Sequence, residues 1–419
     1  MKLYCKEKDY VLLQGDVADM LDAIKSDSID SIVTDPPYEL NFMNKNWDNM
    51  GVSFKKETWQ KCYEVLKPGE YLLAFGGSRT FHRIACAIED AGFEIRDTIM
   101  WIYGSGFPKS MNIGLAIDKK NGVESEVIGK GKSGVSSRAY QSEETTTAGD
   151  YEIKKATNKW NGWGSALKPS YESIVVARKP FKGSLIDNVL KFGVGGINID
   201  ECRVGNEVVS IHNAPKGTFA GGDYNRGSDT ESYRDSVGRF PANTILTYDE
   251  TDFDEVCGGF PITNPTKRHS GDGKPLDTRN MGWGFKRMPC NIEDNGGSAS
   301  RYFYCAKASK KDRDEGLDGF ITVKKNTHPT VKPTELMQYL VRLVTPNGGI
   351  VLDPFSGSGS TGKAAMYENL ERDKGYKYIG IELVEEYLPI SKARIDFVCS
   401  KKEVADESGI SSKSSESDE

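Results

Sequence analysis

Short apolar runs and helical repeats alternate along the first hundred residues. Residues 10–14 read as a strand closed by Gly15-Asp16, and Val17, Met20, Leu21 and Ile24 then recur at the spacing of one helix face. Residues 29–34 make the next strand, ending on Asp35-Pro36-Pro37-Tyr38. A helix over 57–66 stops at Lys67-Pro68-Gly69, and 71–75 is a buried strand. A helix over 80–91 is halted by Gly92, and strand resumes over 93–103. This alternation predicts an α/β fold, a parallel sheet covered on both faces.

From Gly104 the texture changes to glycine, serine, asparagine and lysine pairs (119–120, 154–155, 310–311, 324–325), with a strand expected over 173–177 and a short helix over 185–192. Periodicity returns with a helix over 334–344, a strand over 349–352, a helix over 361–371, a strand over 378–381 and a last helix over 385–397. Neither α/β piece has enough strands for a covered sheet, so both ends should join in one doubly wound, mostly parallel sheet. The expected division is 1–103 and 328–399 as two halves of one domain, 104–327 as a large insert, and 400–419 as a disordered tail too polar to order itself.

Between the strand at 349–352 and the helix at 361–371 lies Asp353-Pro354-Phe355-Ser356-Gly357-Ser358-Gly359-Ser360-Thr361-Gly362. A glycine loop there lets backbone N–H groups and a helix N-terminus approach a ligand closely. The next strand ends in Glu382, at the distance where nucleotide-binding folds place an acid on a ribose hydroxyl. Gly362-Lys363 is followed by Ala364, so the lysine signature of a phosphate-binding loop is missing. An adenosine-type cofactor without a phosphate chain is therefore expected.

The turn at Asp35-Pro36-Pro37-Tyr38 should sit at a strand's carboxyl end. Its prolines fix the backbone and remove two donors, leaving carbonyl and carboxylate acceptors beside an aromatic face. That set suits a planar heterocycle with an exocyclic amine, its N–H bonds held by Asp35 and the Pro36 carbonyl and its ring stacked on Tyr38. Pro37 stiffens the turn. Such a grip favours a pyramidal nitrogen whose lone pair can attack a methyl group by direct displacement.

Net charge is −6, yet residues 104–332 hold 33 Lys+Arg against 29 Asp+Glu, a mildly basic middle between acidic flanks. Eight scattered cysteines with no C-x-x-C pair, and only four histidines, predict neither a metal site nor a disulfide framework. No apolar segment reaches membrane length, and the N-terminus lacks a signal-peptide core. An intracellular protein is expected.

With these motifs in this order, the chain resembles S-adenosylmethionine-dependent amino DNA methyltransferases of the circularly permuted beta group. There the D-P-P-Y motif precedes the target-recognition region and the cofactor loop comes last. His328-Pro329-Thr330-Val331-Lys332-Pro333 matches the H-P-T-x-K-P segment ahead of that loop, and the loop itself reads D-P-F-S-G-S-G-S-T with Ser360 inserted. The resemblance implies a Rossmann-like methyltransferase domain, S-adenosylmethionine as cofactor, double-stranded DNA as partner and base flipping. It implies catalytic Asp35, Pro36, Pro37 and Tyr38. On the cofactor side it implies Asp16 near the adenine, Glu382 at the ribose, and His328, Thr330, Lys332, Asp353, Pro354, Phe355, Gly357, Ser358, Gly359 and Thr361. The aspartate form of the motif favours adenine N6, with cytosine N4 the runner-up and a catalytically silent DNA-binding regulator the alternative from another class. A cytosine C5 enzyme would need a nucleophilic cysteine, and Cys290 follows no clear strand. A cytoplasmic place in a prokaryotic cell, a phage or mobile-element origin, a restriction endonuclease partner and a homodimer are compatible with the resemblance. Trp160 and Trp163 are expected to be packing residues.

Overall fold

The computed structural model describes residues 2–40, 48, 50–103, 110–132, 150–212, 233–247, 262–263, 266–269, 291–294, 297–298, 303–305, 310–318 and 326–407. Cys290 and the lysine pair at 324–325 lie outside the described residues. Two compact units are present: Met1–Gly104 with Tyr171–Glu419, and Ser105–Ser170.

The first unit is built on a sheet of ten strands among the described residues. In chain order these are β1 (Lys2–Lys6), β2 (Tyr10–Gln14), β3 (Ser31–Thr34), β4 (Tyr71–Gly76), β5 (Glu94–Tyr103), β6 (Tyr171–Arg178), β7 (Thr244–Thr247), β8 (Tyr304–Cys305), β9 (Ile350–Asp353) and β10 (Lys377–Glu382). Their order across the sheet is β1-β2-β10-β9-β3-β4-β6-β5-β7-β8. Strands β2, β10, β9, β3 and β4 are mutually parallel, so two strands from the end of the chain lie between two from its start. The expectation that the two ends share one doubly wound sheet is met.

Helices cover both faces. On one lie α1 (Val17–Leu21), α2 (Lys56–Val65) and α3 (Phe81–Asp90); on the other α4 (Thr334–Val344), α5 (Ser360–Arg372) and α6 (Leu388–Glu407). Every residue of β4 is buried, with Leu72 and Ala74 in the first core and Leu73 and Phe75 in the second. A strand buried on both sides reads as a continuous apolar run rather than an alternation.

Three departures from the sequence reading have physical causes. The stretch 104–327, expected to be wholly insert, sends β6, β7 and β8 into the central sheet, β6 running antiparallel to both β4 and β5. Ile174 and Val176 face one core and Val175 and Ala177 the other, and only an interior position covers both faces of such a strand. The expected tail begins inside α6, which runs on to Glu407; there Lys401 lies 4.1 Å over the Phe397 ring and donates to the Tyr367 hydroxyl at 3.1 Å. Residues 408–419 lie outside the described residues. The helix expected from Glu385 starts as a 3-10 turn at Glu385–Tyr387, and α6 follows from Leu388 with Pro389 in its first turn, where a missing N–H costs little.

In the second unit, a helix at Ile113–Lys120 is capped by the Asn112 side chain, which accepts from Leu115 N at 3.0 Å. A hairpin pairs Glu126–Lys132 with Asp150–Lys155. The buried Asp118 carboxylate accepts from Thr157 N at 2.8 Å, Ser125 Oγ at 3.0 Å and Asn158 Nδ2 at 2.6 Å, which pins the Trp-bearing loop. Trp160 and Trp163 pack edge to face with centroids 5.2 Å apart, yet stay 38% and 58% exposed. Among the described residues of the whole chain, no helix is long and apolar enough to cross a membrane.

Candidate active site

Parallel strands place their carboxyl ends on one edge, where open α/β sheets bind ligands. Across this edge stand Gln14 of β2, Glu382 of β10, Asp353 of β9, Asp35 just after β3, and Gly76-Gly77 at the end of β4. The catalytic and cofactor motifs, more than 300 residues apart in sequence, are thus next to each other.

Asp353 joins them. Its Oδ1 accepts from Thr34 Oγ1 at 2.6 Å and from Phe355 N at 3.1 Å, while Oδ2 accepts from Thr361 Oγ1 at 2.7 Å. The residue is buried, and desolvation pushes its carboxyl up to about 6. Sequence reading set Asp353 and Thr361 against the cofactor; the structure engages both side chains inside the protein. They fasten the glycine loop to the residue before Asp35.

The loop itself is shaped by two glycines in the left-handed region. Gly357 has φ +52°, and a Cβ there would stand 2.8 Å from His328 Nε2; Gly359 has φ +73°, and its Cβ would meet Ser391 Oγ at 2.4 Å. A side chain at either place would have to displace its neighbour and hold a backbone angle that L residues rarely adopt. Pro354 is buried, Phe355 packs against Trp59 with centroids 6.2 Å apart, and the Ser358 carbonyl and hydroxyl accept from the buried Arg394 at 2.8 and 3.1 Å.

Glu382 holds the loop from the other side, its Oε2 accepting from Gly357 N and its Oε1 from Val384 N, each at 2.7 Å. Burial pushes its carboxyl up to about 7. His328 is buried edge-on to Tyr387 at 4.6 Å, and burial drops its pKa to about 3, so the ring is neutral. Thr330 is exposed. Asp16 caps α1 by accepting from Ala18 N at 2.9 Å, an exposed side chain with a local task.

The Asp35 turn is braced by residues that motif reading passed over. Ser53 Oγ donates to the Pro37 carbonyl at 2.7 Å, and the Glu39 carboxylate accepts from Gly51 N at 2.7 Å. Asp48 accepts from the backbone N–H groups of Glu39 and Leu40 at 2.9 and 3.2 Å. At the end of β4, a Cβ on Gly77 would stand 2.9 Å from the Tyr38 ring, so glycine there admits the aromatic side chain.

Lys332 is the largest reassignment. Sequence reading grouped it with the cofactor, but its ammonium lies 2.6 Å from Asp35 Oδ2 and 3.2 Å from the Tyr38 hydroxyl. Glu172 of β6 completes the cluster: its Oε2 is 3.3 Å from Lys332 Nζ and accepts from Tyr38 OH at 2.7 Å, and its Oε1 accepts from Tyr103 OH at 3.3 Å. Nothing in the sequence pairs Glu172 with Asp35, because the antiparallel placement of β6 is not written in any local pattern. The other oxygen of Asp35, Oδ1, is buried and has no hydrogen-bond partner among the described residues. Burial raises the Asp35 carboxyl, with the Lys332 ammonium opposing and the Glu172 carboxylate adding to the rise.

The chain is 26% identical over 146 residues to the type II methyltransferase M.HindIII of Haemophilus influenzae, covering 34% of this chain and 37% of that one. It is 41% identical over 69 residues to the DNA adenine methyltransferase YhdJ of Escherichia coli, covering 16% and 21%. The matches thus span well under half the length of these curated relatives. The solved structure of the PvuII DNA methyltransferase, described as cytosine-N4-specific, aligns with a TM-score of 0.42 at 13% identity over 95% of this chain and 93% of that one. A family model described as DNA methylase, of the N6/N4 methyltransferases, matches residues 29–393, a span that holds the Asp35 turn, the glycine loop and Glu382, and the chain belongs to that family.

Proposed function

We propose that the protein is a site-specific DNA methyltransferase acting on the N6 amine of adenine in duplex DNA, with S-adenosylmethionine as methyl donor. The observation that carries the reading is the divided state of Asp35: Oδ2 is tied to Lys332, and Oδ1 is buried without a partner among the described residues. A buried acceptor left empty costs free energy of about 1–3 kcal/mol, and a substrate N–H relieves it. The neighbouring glycine loop fits an adenosine-type group, since it is flanked by Glu382, whose oxygens each retain a lone pair. Gln14 Oε1, at the end of β2 on the same edge, is a second buried acceptor with no partner among the described residues.

When bound, S-adenosylmethionine supplies an electrophilic methyl group. Asp35 Oδ1 accepts one N–H of the target amine and so orients the nitrogen lone pair, while Tyr38 offers its ring face to the base. As the nitrogen gains a methyl group it must lose a proton, and the free Asp35 oxygen is positioned to receive it. Base pairing hides the amine, so the base is flipped into the site at an unstacking cost of about a few kcal/mol. The aspartate in the motif and the adenine-specific name of one relative support adenine over cytosine. The segment between 104 and 327 outside the sheet is where we place target recognition, and a restriction endonuclease partner belongs to the same reading, on the type II name of another relative.

Duplex DNA of varied sequence incubated with labelled S-adenosylmethionine, then digested to nucleosides and resolved by mass spectrometry, tests this. N6-methyladenine is expected from the wild type and little from Asp35→Ala. N4-methylcytosine would overturn the adenine assignment, and binding without incorporation would favour a silent regulator.

A further inference from the structure

The cluster behind Asp35 has an odd charge count. One ammonium, Lys332, faces two carboxylates, Asp35 at 2.6 Å and Glu172 at 3.3 Å, in a site where the three side chains are 8%, 19% and 18% exposed. Burying an excess carboxylate is costly unless every oxygen is engaged. Glu172 is engaged: one oxygen accepts from Tyr38 and meets Lys332, and the other accepts from Tyr103. Lys332 in turn lies 5.3 Å from the Tyr38 ring centroid and 4.9 Å from that of Phe75, so its head is boxed in. Among the described residues, the one oxygen of the cluster without a hydrogen-bond partner is Asp35 Oδ1. The cluster therefore fixes which Asp35 oxygen is available and in which direction it points.

We propose that Glu172 is a positioning residue for methyl transfer, acting through Lys332 and Tyr38 to hold the Asp35 carboxylate and the Tyr38 ring in their working geometry. It reaches the site from β6, a strand that no catalytic or cofactor motif includes. Its negative charge serves a second purpose. Methylation moves positive charge onto the substrate nitrogen, and a site carrying one more carboxylate than ammonium favours that charge over a neutral site. The proposal rests on the methyl-transfer reading of the Asp35 turn and holds for an adenine or a cytosine amine alike.

The charged and titratable groups facing Asp35 are Lys332 from the segment before α4, Glu172 from β6, Tyr38 from its own turn and Asp353 from β9. Glu172 is among those that raise the Asp35 carboxyl. Removing its charge lowers that carboxyl, so the acid limb of kcat moves to lower pH.

Glu172→Gln and Glu172→Ala are compared with the wild type. Turnover should fall about 10–100-fold in the alanine variant and be partly restored by glutamine, which keeps an acceptor for Tyr38. The KM for DNA and the dissociation constant for S-adenosylmethionine should stay within about twofold, because neither ligand loses a direct contact. In both variants the acid limb moves down, read from kcat and, without need of turnover, from the ¹³C carboxyl shift of Asp35 against pH. An unmoved Asp35 titration in Glu172→Gln overturns the proposal, as does turnover that falls only in step with thermal stability. Should the alanine variant fail to fold, the glutamine variant decides alone. Wild-type product analysis is separate: N4-methylcytosine, or no transfer, would defeat the adenine or enzyme reading while the Asp35 titration still decides the role of Glu172.

Discussion

Glu382, which we propose also meets the ribose of the methyl donor, already holds the glycine loop. Both oxygens already accept backbone N–H bonds, and each keeps a lone pair for a ligand hydroxyl. Because burial raises it to about 7, the ionised acceptor is lost as pH falls through that value. The dissociation constant for S-adenosylmethionine, measured by calorimetry from pH 8 to pH 6, should therefore rise as pH falls, and Glu382→Gln should bind more weakly with a flatter profile. A wild-type constant that stays level across this window would remove Glu382 from the ligand site. His328 contributes no slope there, since it is neutral down to about 3. For folding the sign is opposite: a raised carboxyl stabilises the protein below its unfolded pKa, and that contribution is lost as pH rises through 7. Identity at this scale was legible for Asp35, Tyr38 and the glycines, whose chemistry follows from residue type. The partner of Lys332 was not, because a lysine beside a glycine loop suggests an anion of the ligand, whereas the anion it meets is a side chain 297 positions away.

Helix α4 shows what periodicity conveys and what it hides. All of its residues but Glu335 are buried, including Gln338 and Arg342, because it packs under the sheet with α5 on its other side. Arg342 makes a two-pronged pair with Glu368 of α5, Nε to Oε2 at 3.0 Å and Nη2 to Oε1 at 3.1 Å, and Glu368 is fully buried. Arg342→Ala should cost about 3–5 kcal/mol, since it strands a buried carboxylate, while replacing both partners with apolar residues should recover most of that. Denaturant unfolding of the wild type and the two variants checks this, and a loss under about 1 kcal/mol in the single variant would show the pair to be well solvated. The helix and its amphipathic spacing could be read from the sequence, but not the polar pair inside it. Strand β6 was likewise legible as a strand; its neighbours were not, because an apolar run does not say which edges it will join.

The molecule as a whole is an interleaved chain. Strands β9 and β10 fill the gap between β3 and β2, so residues 1–103 alone leave a hole two strands wide in their own sheet. A fragment of those residues should show no cooperative unfolding transition by circular dichroism, and a sharp one would mean that the N-terminal strands close up without the rest. That the two ends meet was legible from the shortage of strands in each. The extent of the sheet was not, since β7 and β8 are short and lie in polar surroundings that locally resemble loop.

A displacement reaction tolerates little slack between donor and acceptor, and misplacement of about 1 Å can cost 100-fold in rate. Here that spacing is not left to the long side chains lining the cleft. The threonine hydroxyls at 34 and 361 close on a single carboxyl at the root of both loops, like a clasp between two straps. One loop cannot drift without drawing the other along, and the spacing between the Asp35 turn and the glycine loop is gauged from beneath, by backbone anchored in the core.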